Sequence, residues 1–172
     1  GNYSFTGTGG TVYFKDTKYG EIRFLQAING SGNNLTNDVR IGNNSAIVRS
    51  DINSGLNKLA NVTLYGINTQ GFKKVVIKKD GKKCLDCYNF TSLTGLSGGT
   101  AIFNVTSWSQ YTVGDAANLT ACDSLDTPNL AYIVQKDLNT TGTCFTITAD
   151  NVTLDGQGFR VAGNRTPSTY GV

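Results

Sequence analysis

A chain of 172 residues with 38% apolar residues can bury a real core, as one domain or as two small ones. Its net charge of +3 is too small for a nucleic-acid footprint spread over the molecule, and no apolar run reaches the roughly eighteen residues of a membrane span. A single Glu (Glu21) stands beside 21 Gly, 18 Asn and 22 Thr, and only 16% of residues are charged; helix-covering residues are scarce, which points to β structure with almost no helix.

The chain opens on Gly1 without Met or a signal peptide, so the expectation is a processed mature form or a fragment. From Tyr3 to about Asp115, runs of strand formers follow one another: YSFTG, TVYF, EIRFLQAI, VRIG, SAIVRSD, ANVTLYGI, KKVVIKK, CYNFTSL, TAIFNVTSW and QYTVG. Eight to ten strands spaced by about ten residues and bounded by Gly, Asn, Asp and Ser predict an antiparallel sandwich. In ANVTLYGI, Val62, Leu64 and, past Tyr65, Ile67 mark one buried face interrupted at Gly66. Asp80-Gly81 is a hairpin turn signal. The six lysines between Lys73 and Lys83 fit an exposed hairpin whose charges keep its edges from mispairing, with an anionic sugar or an acidic partner surface as the other reading.

Around Gly114-Asp115-Ala116-Ala117 the pattern changes, which divides the chain into a sandwich over 1–115 and a second region over 116–172. Pro128 ends one segment there, and AYIVQKDL reads as a strand. Then three triplets, Phe145-Thr146-Ile147, Val152-Thr153-Leu154 and Phe159-Arg160-Val161, begin at seven-residue intervals. They describe one turn of a right-handed, three-faced parallel β-helix. Phe145, Val152 and Phe159 would start the faces, and Ile147, Leu154 and Val161 would complete the inward pairs. Asp150-Asn151 and Asp155-Gly156-Gln157-Gly158 would make the corners, where left-handed backbone favours Asn and Gly. A meander of short antiparallel strands is the competing arrangement.

Four cysteines, Cys84, Cys87, Cys122 and Cys144, permit three pairings. Cys84 with Cys87 and Cys122 with Cys144 are favoured as structural disulfides. A redox CxxC normally sits at a helix N-terminus, whereas KKCLDCYNF lies among lysines and strand formers. A zinc site would need all four thiolates, because the chain has no His. Eleven asparagines begin N-x-[ST]: Asn2, Asn29, Asn34, Asn43, Asn61, Asn89, Asn104, Asn118, Asn139, Asn151 and Asn164. Chance pairing predicts roughly 3 or 4. The excess suits a secreted protein with a dense glycan coat, against the plainer reading that Asn-Val-Thr and Asn-Leu-Thr are good turn-into-strand tripeptides.

Residues Cys122 to Gly163 resemble the opening coil of extracellular pectate-lyase-like β-helix proteins, through the AYIVQKDL strand and TCFTITADNVTLDGQG. Leu56 to Gly114, with LNKLANVTLYGI, KKDGKKCLDC and GGTAIFNVTSWSQYTVG, is similar to a β-sandwich repeat of large secreted archaeal surface proteins. Together these resemblances cover roughly 110 residues and imply an all-β chain: an antiparallel, Ig-like β-sandwich followed by the first rung of a parallel β-helix.

Pectate-lyase-like folds include polysaccharide lyases and hydrolases, which work with carboxylates, calcium and a basic residue on several middle rungs. Here Asp150, Asp155 and Arg160 stand alone on an opening coil and suit corners better. No His means no Ser-His-Asp or Cys-His pair. Gly156-Gln157-Gly158 and Gly7 to Gly10 lack the strand-helix setting of a phosphate loop, and no spaced calcium motif is present. The expectation is a non-catalytic, extracellular, N-glycosylated structural protein without cofactor or metal, a module of a filament, pilus-like appendage or surface layer. Its expected partners are copies of itself, or the rest of a longer chain, joined through β-strand edges at Phe145, Ile147, Val152, Leu154, Phe159 and Val161, because about three rungs are needed before a solenoid is stable. An adhesin or carbohydrate-binding part of a longer β-helix protein is the alternative, with surface polysaccharide as partner and Trp108, Tyr111 or Tyr170 as sugar-facing aromatics, although Trp108 also suits the core.

Overall fold

The computed structural model describes residues 2–7 and 12–163. Among them the first twelve strands are β1 (Tyr3–Phe5), β2 (Tyr13–Asp16), β3 (Gly20–Phe24), β4 (Gly30–Gly32), β5 (Val39–Gly42), β6 (Ser45–Val48), β7 (Ala60–Leu64), β8 (Val75–Lys79), β9 (Lys82–Lys83), β10 (Tyr88–Asn89), β11 (Ala101–Val105) and β12 (Gln110–Asp115). Helix among the described residues is confined to α1 (Leu35–Asp38), capped by the Asn34 side chain on Thr36 N, and a 3-10 turn at Ser54–Leu56.

Ten of these strands form two five-stranded antiparallel sheets, ordered β10-β11-β7-β3-β2 and β5-β6-β12-β8-β9. Strict alternation explains how they pack. Ile22, Phe24, Ala60, Val62, Leu64, Ala101, Phe103 and Val105 point inward from the first sheet, and Ala46, Val48, Tyr111 and Val113 meet them from the second. At the first residue of β3, Gly20 adopts φ +146, and a Cβ there would stand 2.0 Å from the carbonyl oxygen of Thr63, so β3 and β7 can approach only without a side chain at that position.

Where the chain leaves β11 for β12 in the opposite sheet, the buried Tyr111 hydroxyl donates to the Ser107 carbonyl at 2.6 Å. This bond, four residues back along the chain, has the form of the tyrosine corner that pins inter-sheet crossings in sandwiches. The crossing is tied again where Asn57 accepts from Trp108 N at 2.7 Å and the Ser50 hydroxyl donates to the Trp108 carbonyl at 2.6 Å.

β1 belongs to neither large sheet and pairs with β4 alone. Its Tyr3 hydroxyl donates to Asp38 Oδ2 at 2.5 Å and accepts from Asn53 Nδ2 at 2.9 Å. Phe5 packs edge-on against Phe14, which packs edge-on against Phe24. A continuous aromatic chain thus runs from β1 into the core.

The remaining strands are β13 (Asn118–Leu119), β14 (Asp123–Leu125), β15 (Ala131–Val134), β16 (Leu138–Thr140), β17 (Phe145–Ile147), β18 (Thr153–Asp155) and β19 (Val161–Gly163). They pair in parallel as β13-β15-β18, β14-β17 and β16-β19, so from β14 onward the chain visits three sheets in rotation. Parallel pairing excludes the antiparallel meander. Asp123 lies beside Phe145 and Ala131 beside Thr153, which makes one coil about 22 residues long. The coil has its own core of Leu119, Leu125, Leu130, Tyr132, Val134, Leu138, Cys144 and Phe145.

Two of the triplets enter later than their sequence spacing predicts: the second and third strands start at Thr153 and Val161. For the third, the cause is the corner that precedes it. Gln157 and Gly158 are both left-handed, Asp155 Oδ1 accepts from Gln157 N, and Phe159 N closes the turn on the Gly156 carbonyl, so Phe159 is used in the turn instead of the strand.

Sandwich and coil are fastened at β8 and β9. Val76, on the outer face of β8, joins the coil core. Buried Lys78 donates to the Asn118 carbonyl, and Lys83 meets Asp123 through its main-chain N–H and Asp126 through its ammonium at 2.5 Å. The exposed-hairpin expectation for the lysines is therefore corrected at Lys78 and Lys83, which bind the coil because the outer face of β8 is covered. At the junction itself the buried Asp115 carboxylate accepts from Lys73 N, Lys74 N and Ala117 N.

Replacing Tyr111 with Phe removes the corner bond and leaves a carbonyl unpaired, and is expected to cost about 1–3 kcal/mol in urea unfolding. Burial, followed by the bond to Asp38, pushes the Tyr3 hydroxyl up to about 12. The folded chain therefore keeps a proton that the unfolded chain releases near pH 10, so this stabilisation is complete below pH 10 and is lost as pH rises towards 12. Burial raises Tyr111 in the same direction, whereas buried Lys78, lowered by desolvation, carries a penalty at lower pH that fades on approaching its ordinary value. Urea midpoints should fall between pH 10 and 12 and fall less in Tyr3→Phe; equal declines would remove Tyr3 from the account.

Candidate functional site

In a coil, each strand covers the residue one turn earlier. Ile147 lies in register on Leu125, Leu154 on Tyr132 and Val161 on Leu138, and all three lower residues are buried. The upper residues have no such cover among the described residues. Ile147 is 50% exposed, and Leu154, Val161 and Val152 are half-buried. Phe159 is 43% exposed at its turn, which corrects the expectation that it points inward, whereas Ile147 shares the side of Phe145 and Leu125 and is exposed only because no described residue lies over it. Phe145, at 2% exposure, is core and offers no surface.

The last coil thus presents an apolar rim of Ile147, Val152, Leu154, Phe159 and Val161 beside strand edges of β17, β18 and β19, each paired on one side only among the described residues. The sandwich contacts lie at the other end, on Asn118, Asp123 and Asp126 of the first coil.

The Asp-rich corners are built into the turns. Asp155 holds Gln157, the Asp150 carbonyl accepts from Asn129 N, and Arg160 N donates to Asp137 Oδ1. Among the described residues, no metal-ligand set is assembled around them. A groove of about 780 Å³ runs between the β9 side of the sandwich and the coil, bordered by Lys82, Thr120, Lys136 and Asn139.

Both disulfides form, Cys84–Cys87 and Cys122–Cys144, with Cα separations of 5.6 and 4.5 Å. This removes the zinc alternative. The sulfurs of Cys84 and Cys87 lie near Asp86, yet they are bonded to each other and no helix begins at the motif. Two disulfides point to an oxidising compartment. Cys122 and Cys144 directly precede register partners Asp123 and Phe145, so the second bridge staples one coil to the next. Among the described residues, no helix is long and apolar enough to cross a membrane.

Of the sequon asparagines, Asn2, Asn29, Asn34, Asn43, Asn89, Asn139 and Asn151 are exposed and Asn61, Asn104 and Asn118 half-buried; Asn164 lies outside the described residues. Asn29 and Asn34 use Oδ1, the amide atom a glycan does not modify, to accept from Gly7 N and Thr36 N. Asn61 donates to Asn104 across β7 and β11.

Trp108 and Tyr111 are buried and cannot face a sugar, which corrects that expectation, and Tyr170 lies outside the described residues. Among the described residues the exposed aromatics are Tyr13, Tyr88, Phe90 and Phe159 instead; Tyr88 and Phe90, 66% and 54% exposed, meet edge-on at 4.9 Å beside the Cys84–Cys87 loop. Their signal was the alternation in Tyr88-Asn89-Phe90, which puts both rings on one side of an edge strand. No protein-family model, curated protein or solved structure matches this chain.

The Cys122–Cys144 staple closes a loop with a separation of 22 and is expected to contribute about 3 kcal/mol, with about half of that for the short Cys84–Cys87 loop. Thermal melts of the Cys122→Ser/Cys144→Ser and Cys84→Ser/Cys87→Ser variants test this order; a larger loss from the second pair would contradict it.

Proposed function

We propose that this chain is a non-catalytic, extracellular, N-glycosylated structural module of a cell-surface filament, pilus-like appendage or surface layer. Its second region is the opening of a pectate-lyase-like parallel β-helix, and its sandwich, with its tyrosine corner, an Ig-like module of the kind found in archaeal surface proteins. Support comes above all from the last coil. Apolar residues that cap a buried layer, beside one-sided strand edges, are what β-strand addition requires: main-chain hydrogen bonds give strength and alternate apolar side chains give register. The sandwich covers the opposite end, so a partner strand has a single end on which to add. The strands added come from another copy or from more of the same polypeptide.

A second reading, a carbohydrate-binding adhesin, is favoured by one observation, the exposed Tyr88–Phe90 pair. Aromatic faces bury the apolar side of a sugar ring.

Negative-stain microscopy of purified protein is expected to show polymers. Ile147→Lys with Phe159→Lys should abolish them while shifting the urea midpoint little, because both side chains are largely outside the core. Monodisperse wild-type particles that bind a glycan array through Tyr88 would reverse the two readings. Glycopeptide mass spectrometry would find sugars on the exposed sequons; unmodified asparagines throughout would end the glycoprotein assignment.

A further inference from the structure

Two grooves of similar size adjoin the β8–β9 hairpin, one of about 780 Å³ against the coil and one of about 720 Å³ beside the loop that follows β10. Both fall within the roughly 300–1,000 Å³ of sites that hold small molecules. Lys82 borders the first and Lys83 the second, consecutive residues that a strand points to opposite sides.

Each groove contains a complete glycan acceptor. Asn139 and Thr141 line the first, and Asn89 and Thr91 line the second. Asn139 points outward because Leu138 beside it is buried, and its register partner one turn on is Ala162, which with Gly163 lines the same groove and leaves it room. Asn89 alternates with Tyr88 and Phe90, so a sugar on it leaves the aromatic pair uncovered. Asn61 and Asn151 spend Nδ2 on Asn104 and Asn129, whereas among the described residues the exposed Asn139 and Asn89 amides have no hydrogen-bond partner.

Charge indicates the kind of sugar. Lys82 and Lys136 border the first groove, and Lys73, Lys74 and Lys83 the second. Among the described residues only Lys83 of these has a carboxylate partner, Asp126. The one acid lining the first groove, Asp137, has Oδ1 taken by Arg160 N, and no acid lines the second. Exposed ammoniums thus border both concave sites without countercharges, and acidic groups on a sugar would supply them.

We infer that the two grooves cradle the chain's own N-glycans, attached at Asn139 and Asn89, and that these glycans carry carboxylate or sulfate groups. This rests on the glycoprotein reading above and deepens it by naming two sites and the class of sugar. A sugar tethered within its groove has an effective concentration in the millimolar range, so ion pairs too weak to capture free polysaccharide are enough to hold it. In the first groove it spans the joint, from Lys82 of the sandwich to Lys136 of the coil.

Glycopeptide mass spectrometry of protein purified from its own host should find acidic sugars at both Asn139 and Asn89. Either site bare, or carrying neutral sugar only, while other sequons are occupied would overturn the inference and leave the glycoprotein reading standing. Sugar at no sequon would overturn both. In Lys82→Gln/Lys136→Gln protein from the same host, trimming of the Asn139 glycan by an exoglycosidase under native conditions should run about fivefold faster than in the wild type, the worth of two exposed ion pairs. Trimming at Asn89 should keep its wild-type rate. An unchanged rate at Asn139, or an equal rise at both sites, would overturn the cradle.

Discussion

A strand wound into a parallel coil owns none of its hydrogen-bond partners. Its N–H and C=O groups must be met by the turn below and the turn above, and its inward side chains must be covered in the same way. An antiparallel hairpin solves this locally; a coil passes the problem one turn further along. Everything distinctive about this molecule follows from how the debt is settled at each end. At the first coil, Lys78, Lys83 and Val76 of the sandwich supply polar and apolar cover, and buried Asp115 locks the junction by accepting three main-chain N–H groups. At the last coil, Ile147, Leu154 and Val161 cover what lies beneath them and have no such cover among the described residues.

The β content was legible because period-2 alternation is a strong local signal: Ala60, Val62 and Leu64, or Ala101, Phe103 and Val105, announce their buried face directly. Parallel winding was legible for a related reason, the short strands separated by Asn and Gly corners. The strand phase was not. It depends on how many residues the Asp155–Phe159 corner consumes, and two successive left-handed residues consumed more than seven-residue spacing allows. The roles of the lysines were also hidden, since a Lys on a hairpin reads the same whether its outer face meets water or another core. The Tyr3–Asp38 contact joins residues 35 apart in sequence and is visible only once the chain has folded.

The sugar-facing aromatics show the same limit in reverse. Trp108 and Tyr111 sit in a Thr-Ser-Trp-Ser-Gln-Tyr segment whose polar neighbours suggest a surface, yet the chain crosses between sheets there, with the Trp108 and Ser107 carbonyls held by the Ser50 and Tyr111 hydroxyls. Polarity in the sequence there marked a crossing. At Tyr88 and Phe90, by contrast, aromatic residues on and just past a short edge strand remain exposed.

The bridge between Cys122 and Cys144 has a mechanical meaning. Tension applied beyond β19 would peel the strands away singly, β19 before β18, each rupture breaking only a few hydrogen bonds. On reaching Cys144 the peeling arrives at a covalent shortcut that withholds 22 residues, about 75 Å of contour, from extension. Load then transfers to Cys122 and to the sandwich, whose antiparallel strands share it side by side. The molecule behaves under strain as a short compliant lead on a stiff anchor.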